Sequence, residues 1–290
     1  MDRKYRKLVL LTPITLLYSL LIGGGFWIIL KESFGMIPTL GFEEMTFSYY
    51  FEAVNMTGFF HSVFYAIYLA VVSSVLSMAI GTGIAYRLTR SRNQRLKNVI
   101  NSIMGLGIIL PYLYMVFIAM LILSQSGLIS RGLYNLNMIE FPSDFPNLLY
   151  GRFGIGIIIV YVLKGIPFVT LLTLNVMSQI SINFEQVAMT LGGNNKQIFK
   201  KIYLPLSRDT IVWSGMVLFA YDLGSFEVPY IFSNLKTRSF SVMLYSEYLK
   251  PSITSIPTTM AMTVLLFAIG IVSVILFAVF VRTIIRRLHQ

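Results

Sequence analysis

The sequence predicts an all-α integral membrane protein with six transmembrane helices. Of its 290 residues, 56% are hydrophobic and only 12% are charged, whereas soluble globular domains carry about 25% charged residues. The mean hydropathy is +0.74. Six apolar runs each exceed the roughly 20 helical residues that cross a bilayer. No separate water-soluble domain is evident beside them.

The six runs span residues 8–30, 59–86, 99–123, 153–176, 206–232 and 258–281. The first follows a basic tail and lacks the small-residue cleavage pattern of a signal peptide, so we expect an uncleaved helix. The second and third flank a basic connection. We expect Gly165 and Pro167 to break or kink the fourth run, and Gly224 and Pro229 to disrupt the fifth. A basic tail follows the sixth.

The basic residues predict the orientation of these helices. The two termini, the connection after the second run, and the connection after the fourth run together with the start of the fifth hold 16 of the 23 Lys and Arg residues. An antiparallel arrangement of six helices puts all four segments on one side. Because cytoplasmic segments are enriched in Lys and Arg, both termini are predicted to be cytoplasmic. The net charge of +11 therefore reflects topology and lipid contact rather than nucleic-acid binding.

Several kinds of chemistry are excluded by what the sequence lacks. It has no cysteine, so it forms no disulfide and offers no thiolate ligand. It has no Gly-Lys dipeptide, which a phosphate-binding P-loop requires. Its two histidines lie far apart, without partners at metal-ligand spacing. We therefore expect no cofactor or metal on this chain and no catalytic residue.

Three charged residues fall within the apolar runs, where charge is costly and usually functional. Lys164 lies near the middle of the fourth run, and Asp222 and Glu227 lie in the outer half of the fifth. Lys164 and Asp222 have similar depths, within about two helical turns, so they are able to pair. Two interpretations stay open: a pair that neutralises itself and fixes packing, or side chains that line a polar translocation pathway.

The polar stretch 183–205 lies between the fourth and fifth runs, on the predicted cytoplasmic side. Asn183 and Gln186 have the spacing of a capping box that starts a helix. The Gly192–Asn194 turn predicts its end. Asn195 is expected to cap a second helix over residues 196–203. The stretch therefore predicts a helix-turn-helix that binds a partner outside the membrane.

This stretch resembles the cytoplasmic coupling loop of permease subunits of binding-protein-dependent ABC importers with the type I, MetI-like fold. That loop reads Glu-Ala-Ala, three residues, Gly, nine residues, Ile, one residue, Leu-Pro. The second half fits fully from Gly192 onward, whereas the first half holds Gln186-Val187-Ala188, with Glu185 one residue early. The resemblance implies that an ATPase subunit is contacted by Glu185, Gln186, Ala188, Leu191, Gly192, Ile202, Leu204 and Pro205.

The resemblance extends over residues 58–290, which we expect to form a core of five transmembrane helices with the coupling loop 183–205. Residues 1–57 would then be the N-terminal tail, the first helix and an outer loop. Residues 224–229 are similar to a segment of the polyamine, phosphonate, ferric-iron and sulfate permeases. The acidic Asp222 and Glu227 favour a polyamine such as spermidine or putrescine, and the other three substrates stay open.

The resemblance also implies the partners. They are two ATP-binding subunits that hold ATP and magnesium, a second permease subunit, an external solute-binding protein and the lipid of a bacterial cell membrane. Gln186, in place of the family glutamate, favours a second permease of different sequence. Two other classes are less well supported. A stand-alone secondary transporter or channel needs its own coupling charges or internal repeats, and an intramembrane enzyme needs a nucleophile–base pair or metal cluster.

Overall fold

The computed structural model describes residues 3–233 and 237–287, and within them the chain is helical apart from loops and isolated bridge residues such as the pair Ile37 and Phe42. This part contains thirteen α-helices: α1 Arg3–Ser33, α2 Ser48–Asn55, α3 Phe59–Arg90, α4 Gln94–Ile109, α5 Tyr112–Leu123, α6 Leu128–Asn135, α7 Ile155–Met177, α8 Ile182–Thr190, α9 Asn195–Ile198, α10 Leu204–Gly224, α11 Glu227–Phe232, α12 Phe240–Tyr248 and α13 Ser255–Arg287. A π-helical turn, Phe199–Tyr203, joins α9 to α10. The predicted all-α fold class is confirmed.

Five segments of the described chain are long and apolar enough to cross a membrane. They are Leu11–Ser33, Phe59–Arg90, Tyr112–Asn135, Ile155–Met177 and Ser255–Arg287. The predicted run 206–232 forms α10 and α11 instead, and α10 is less apolar because it carries Arg208, Asp209 and Asp222. The count of six membrane-spanning helices and the cytoplasmic location of the termini stay predictions.

Proline and glycine interrupt two of the predicted runs. The third run divides at Pro111, which lacks an N–H group and disfavours helical geometry at the preceding residue. In the fifth run, α10 ends at Gly224, as expected. Of the break or kink expected in the fourth run, the break does not occur: α7 continues through Gly165 and Pro167 to Met177.

The chain divides into two compact units. One comprises residues 1–60 together with 243–269. Within it, the Ser33 and Tyr50 hydroxyls lie 2.6 Å apart, and Thr258 donates a 3.0 Å hydrogen bond to Glu52. The rings of Phe26 and Phe267 have centroids 5.0 Å apart. The N-terminal half of α13 therefore belongs with α1 and α2.

The other unit comprises residues 61–242 and 270–290 and is built around α7, which packs against α4, α5, α10 and α11. Glycine lets these helices approach closely. A Cβ atom on Gly107 would lie 2.6 Å from the ring of Pro167, and one on Gly81 would lie 2.9 Å from the Cβ of Val169. Small residues at such contacts are typical of membrane helices. The packed α7 leads directly into the polar stretch after the fourth run.

Candidate coupling segment and intramembrane charges

The coupling segment, defined here as residues 181–205, begins with α8. The side chain of Ser181 accepts a 3.3 Å hydrogen bond from the backbone N–H of Asn183 and caps the helix. The cap therefore lies two residues before the predicted Asn183. Both residue types are favoured caps, so the residue type alone does not distinguish them. Glu185 remains in the first turn, where the helix dipole favours a negative charge.

The predicted stop at Gly192 is confirmed. Gly192 has φ +78°, a left-handed conformation that glycine adopts without a Cβ penalty. The N–H of Gly193 donates to the carbonyl of Ala188 at 2.8 Å, and the N–H of Gly192 donates to that of Met189 at 3.0 Å. This pair of bonds is the Schellman motif that commonly ends a helix. The chain therefore reverses sharply between α8 and α9.

The second helix also starts one residue earlier than predicted. The side chain of Asn194, rather than that of Asn195, accepts from the N–H of Gln197 at 3.0 Å, and the Gln197 side chain accepts from the N–H of Asn194 in return. The predicted helix 196–203 is only four residues of α9 followed by the π-helical turn. That turn passes directly into α10, with Pro205 in the first turn, where its missing N–H costs little. The segment is thus continuous with the following membrane helix.

An ion pair fixes the inner face of α8. The Nη2 atom of Arg90, at the end of α3, lies 2.6 Å from Oε1 of Glu185. Tyr203 donates a 3.0 Å hydrogen bond to the other carboxylate oxygen. Burial raises the pKa of Tyr203 to about 12, and the bond to Glu185 adds to this effect. The phenol is therefore neutral at physiological pH and able to donate.

Apolar contacts reinforce the same attachment. Ala85 of α3, Met177 of α7, Ile198 and Tyr203 are buried together, and partly buried side chains surround them. The ring of Tyr86 lies 4.8 Å from that of Phe199, centroid to centroid. Ile198 is one of the buried residues of this cluster, and Ile202 is one of the partly buried ones. The inner face of the coupling segment is therefore packed onto the ends of α3 and α7.

The outer face of α8 is apolar and unpartnered among the described residues. Phe184, Val187 and Leu191 are 60%, 58% and 83% exposed, and their spacing places them along one stripe. Gln186 and Gly192 are also exposed. The residues that the resemblance implies as ATPase contacts therefore fall into two groups. The exposed group is Gln186, Leu191 and Gly192, and the partly or fully buried group is Glu185, Ala188, Ile202, Leu204 and Pro205.

Lys164 is held by backbone carbonyls. Its ammonium donates to the carbonyl oxygens of Gly107 at 3.0 Å, Ile108 at 2.7 Å and Leu110. In an uninterrupted helix the carbonyl of Gly107 would accept from the N–H of residue 111, but Pro111 has none. The ammonium has three donors, and all three are used here. Lys164 thus replaces the bonds lost at the break between α4 and α5.

The ion pair between Lys164 and Asp222 that their similar depths allowed is not formed. Asp222 is only 5% exposed, and its Oδ2 accepts a 2.5 Å hydrogen bond from the hydroxyl of Ser73 on α3. Its Oδ1 has no hydrogen-bond partner within the described chain. Glu227, at the start of α11, is exposed. The three residues therefore have separate surroundings. Lys164 binds backbone carbonyls, Asp222 is buried at the contact between α3 and α10, and Glu227 is exposed.

Residues 77–289 match the model of a family described as the inner membrane component of binding-protein-dependent transport systems. The chain belongs to this family. The match includes the coupling segment, Lys164 and Asp222. This match confirms the resemblance to ABC importer permeases with the MetI-like fold.

Two relatives of this importer permease are identified by the transport system to which each belongs. It is 27% identical over 180 residues to the molybdenum transport system permease protein ModB of Azotobacter vinelandii, covering 61% of this chain and 75% of that protein. It is 26% identical over 239 residues to the sulfate transport system permease protein CysT of Salmonella typhimurium, covering 79% and 81% respectively.

Solved importers share the fold of this permease. A chain of a bacterial alginate ABC transporter, solved with an alginate pentasaccharide-bound periplasmic protein, gives a TM-score of 0.76 at 14% identity and covers 99% of this chain and 96% of that chain. A chain of the inward-facing MetNI methionine ABC transporter gives 0.53 at 15% identity and covers 80% and 96%.

Sequence reasoning missed two groups of residues in this permease. Arg90 was counted only as one of the charges that predict topology, although it is the partner of Glu185. Phe184 and Val187 were not assigned to the partner-facing surface. The spacing of these two residues with Leu191 along an exposed helix is the sequence signal that indicates a shared outer face. The partner of Glu185 had no comparable local signal.

Proposed function

We propose that this permease imports a small inorganic oxyanion and that the exposed face of α8 receives a separate ATPase subunit. The observation that carries the coupling role is the two-sided construction of α8. Its inner face is tied to Arg90 and Tyr203, whereas its outer face presents Phe184, Val187 and Leu191. A rigidly attached helix with an apolar outer stripe is suited to transmitting a movement of the ATPase subunit to the membrane helices.

The substrate proposal draws on the relatives and on Asp222. The relatives belong to a molybdenum and a sulfate transport system. Sulfate is an oxyanion, molybdenum occurs in oxygenated water as the oxyanion molybdate, and sulfate was among the substrates left open by the sequence. The preference for a polyamine depended on intramembrane acids. Asp222 is buried against Ser73 and therefore gives that preference little support. Phosphonate and ferric iron are the remaining alternatives.

The proposed assembly follows the family. It contains two ATP-binding subunits that carry ATP and magnesium, a second permease subunit and an extracytoplasmic solute-binding protein. The MetNI neighbour and the alginate neighbour with its periplasmic protein support these general kinds of partner. We place the permease in the bacterial inner membrane with both termini in the cytoplasm. A second permease of different sequence is favoured because Gln186 occupies the family glutamate position.

The ATPase contact is tested by co-purification of the tagged permease with its ATPase subunits. We expect Leu191→Asp to abolish co-purification without reducing the amount of permease in the membrane, because a charge would be placed in the apolar contact. Leu136→Asp is the matched control, since Leu136 is similarly exposed at the end of α6. Full retention of the ATPase by Leu191→Asp would overturn this assignment.

The substrate is tested separately in proteoliposomes. The reconstituted importer and its binding protein are supplied in turn with molybdate, sulfate, phosphonate, ferric iron and spermidine, and ATP hydrolysis is measured. We expect stimulation by molybdate or sulfate. Stimulation by spermidine alone would reject the oxyanion proposal and leave the coupling assignment intact.

A further inference from the structure

A cationic pocket of about 540 Å³ lies between the end of α3 and the coupling segment. Arg87 and Arg90 of α3 line it together with Lys196 and Lys200. Arg90 is neutralised by Glu185. The other three are exposed, and none of them forms an ion pair in the described part of the chain. The pocket therefore carries three uncompensated positive charges.

An apolar groove of about 310 Å³ adjoins this pocket. It lies between α3, α10 and the C-terminal half of α13, and its walls include Val75, Ala79, Ile211 and Val281. Phe199 lines both the groove and the pocket. On α3 the groove is lined by Val75, Met78, Ala79 and Thr82, and the pocket by Gly83, Tyr86, Arg87 and Arg90. Pocket and groove are thus consecutive along the length of α3.

The length of this combined surface matches one leaflet of a bilayer. Val75 and Tyr86 are eleven residues apart on α3, which corresponds to a rise of about 16 Å. Half of the hydrocarbon core of a bilayer is roughly 15 Å. The apolar end, with exposed Val75 and Phe280, lies towards the membrane interior. The cationic end lies at the boundary where lipid phosphates are found.

We propose that the pocket and groove together bind one anionic phospholipid. Its phosphate contacts Arg87, Lys196 and Lys200, and one acyl chain occupies the groove. A water-soluble anion would use only the charged end, and a neutral apolar molecule would use only the groove. Because Lys196 and Lys200 belong to the coupling segment and Arg87 belongs to α3, the bound lipid stabilises the attachment between them.

The proposal is tested with the purified importer complex, stripped of lipid in detergent. Dioleoyl phosphatidylglycerol, dioleoyl phosphatidylcholine and inorganic phosphate are titrated in parallel, with native mass spectrometry and the melting temperature as readouts. We expect phosphatidylglycerol to bind the permease and raise the melting temperature, and the other two to do neither. At about 1 kcal/mol per basic residue, the variant R87Q/K196Q/K200Q should bind it roughly 100-fold more weakly.

A second variant tests the groove without changing charge. Ala79→Trp places an indole in the groove from an exposed position, and we expect it to weaken phosphatidylglycerol binding. Two matched controls should bind normally. R92Q/R95Q/K97Q removes three charges from the neighbouring connection, and Ile80→Trp adds an indole to an exposed α3 position outside the groove.

Three results would overturn the proposal. Equal weakening in R92Q/R95Q/K97Q would indicate unspecific attraction of anionic lipid to the basic surface. An equal response to inorganic phosphate would identify a site for a free anion. Density for a helix of the second permease subunit in the groove of the assembled importer would identify a protein occupant instead.

Discussion

Arg90 and Glu185 form an ion pair, with Nη2 and Oε1 2.6 Å apart, that joins the end of α3 to α8. Arg90 also donates to the hydroxyl of Tyr86 at 3.0 Å and to the side-chain oxygen of Asn195 at 2.8 Å. One guanidinium therefore holds both halves of the coupling segment. Movement of α8 relative to α3 must break or displace these bonds.

Glu185→Gln should loosen α8. Hydrogen bonds that involve a charged group contribute about 1.5–3 kcal/mol, so we expect amide hydrogen exchange in residues 182–190 to accelerate by roughly 10-fold or more. Gln186→Ala is the control, because its side chain is exposed on the same helix. The charge-reversed pair R90E/E185R should recover part of the protection. Equal exchange in Glu185→Gln and Gln186→Ala would show that the ion pair does not hold the segment.

Gly192→Trp should insert normally yet lose transport and stimulated ATP hydrolysis. A side chain at φ +78° is strained by about 1–2 kcal/mol, and the tryptophan would project from the partner-facing turn. A Cβ at this position meets no atom within 4 Å, so the folded chain itself has room for it. Gly192→Asn is the comparison, because asparagine tolerates this backbone conformation. Unchanged uptake by Gly192→Trp would contradict the coupling assignment.

Lys164→Met should destabilise the break between α4 and α5. The substitution leaves the carbonyls of Gly107, Ile108 and Leu110 without this donor. Of these residues Gly107 is buried, and an unsatisfied buried group costs about 1–3 kcal/mol. We expect a lower melting temperature in detergent. Pro111→Ala, added to Lys164→Met, should recover part of the loss because residue 111 regains an N–H. Strictly additive effects in this double-mutant cycle would show that the two sites do not interact.

Asp222→Asn should alter uptake more than assembly. The asparagine side-chain oxygen is still able to accept the hydrogen bond from Ser73, so the contact between α3 and α10 persists. The ionisable carboxyl group inside the membrane is lost. Uptake in proteoliposomes and the yield of assembled complex are measured together, with Ser73→Ala as the control for loss of the hydrogen bond alone. Normal uptake by Asp222→Asn would show that Asp222 contributes to helix packing and not to transport.

Features of the fold encoded by neighbouring residues could be predicted from the sequence. The stop at Gly192 is an example, because a Schellman turn depends on one glycine and the carbonyls just before it. The starts of α8 and α9 were missed by one or two residues because Ser181, Asn183, Asn194 and Asn195 are all favoured caps. Which one is used depends on the docking of the helix.

The contacts of the candidate site depend on packing and could not be predicted in the same way. Equal depth in the membrane made Lys164 and Asp222 plausible partners, but depth does not specify direction around a helix. Pro111 does indicate that a carbonyl four residues earlier lacks a donor. Nothing local indicates that the donor comes from Lys164. The pairing of Glu185 with Arg90 likewise follows from how α8 folds back onto α3.

The π-helical turn Phe199–Tyr203 sets the angular phase between the coupling segment and α10. A π turn contains one more residue than the α-helix it interrupts, and one residue corresponds to about 100° of rotation. If this turn adopted α-helical geometry with all its residues kept, the docking face would therefore rotate by about 100° around the axis of α10, while every side chain on that face stayed the same. The direction in which the coupling segment faces its partner thus depends on the backbone of one turn and not only on the side chains that make the contact.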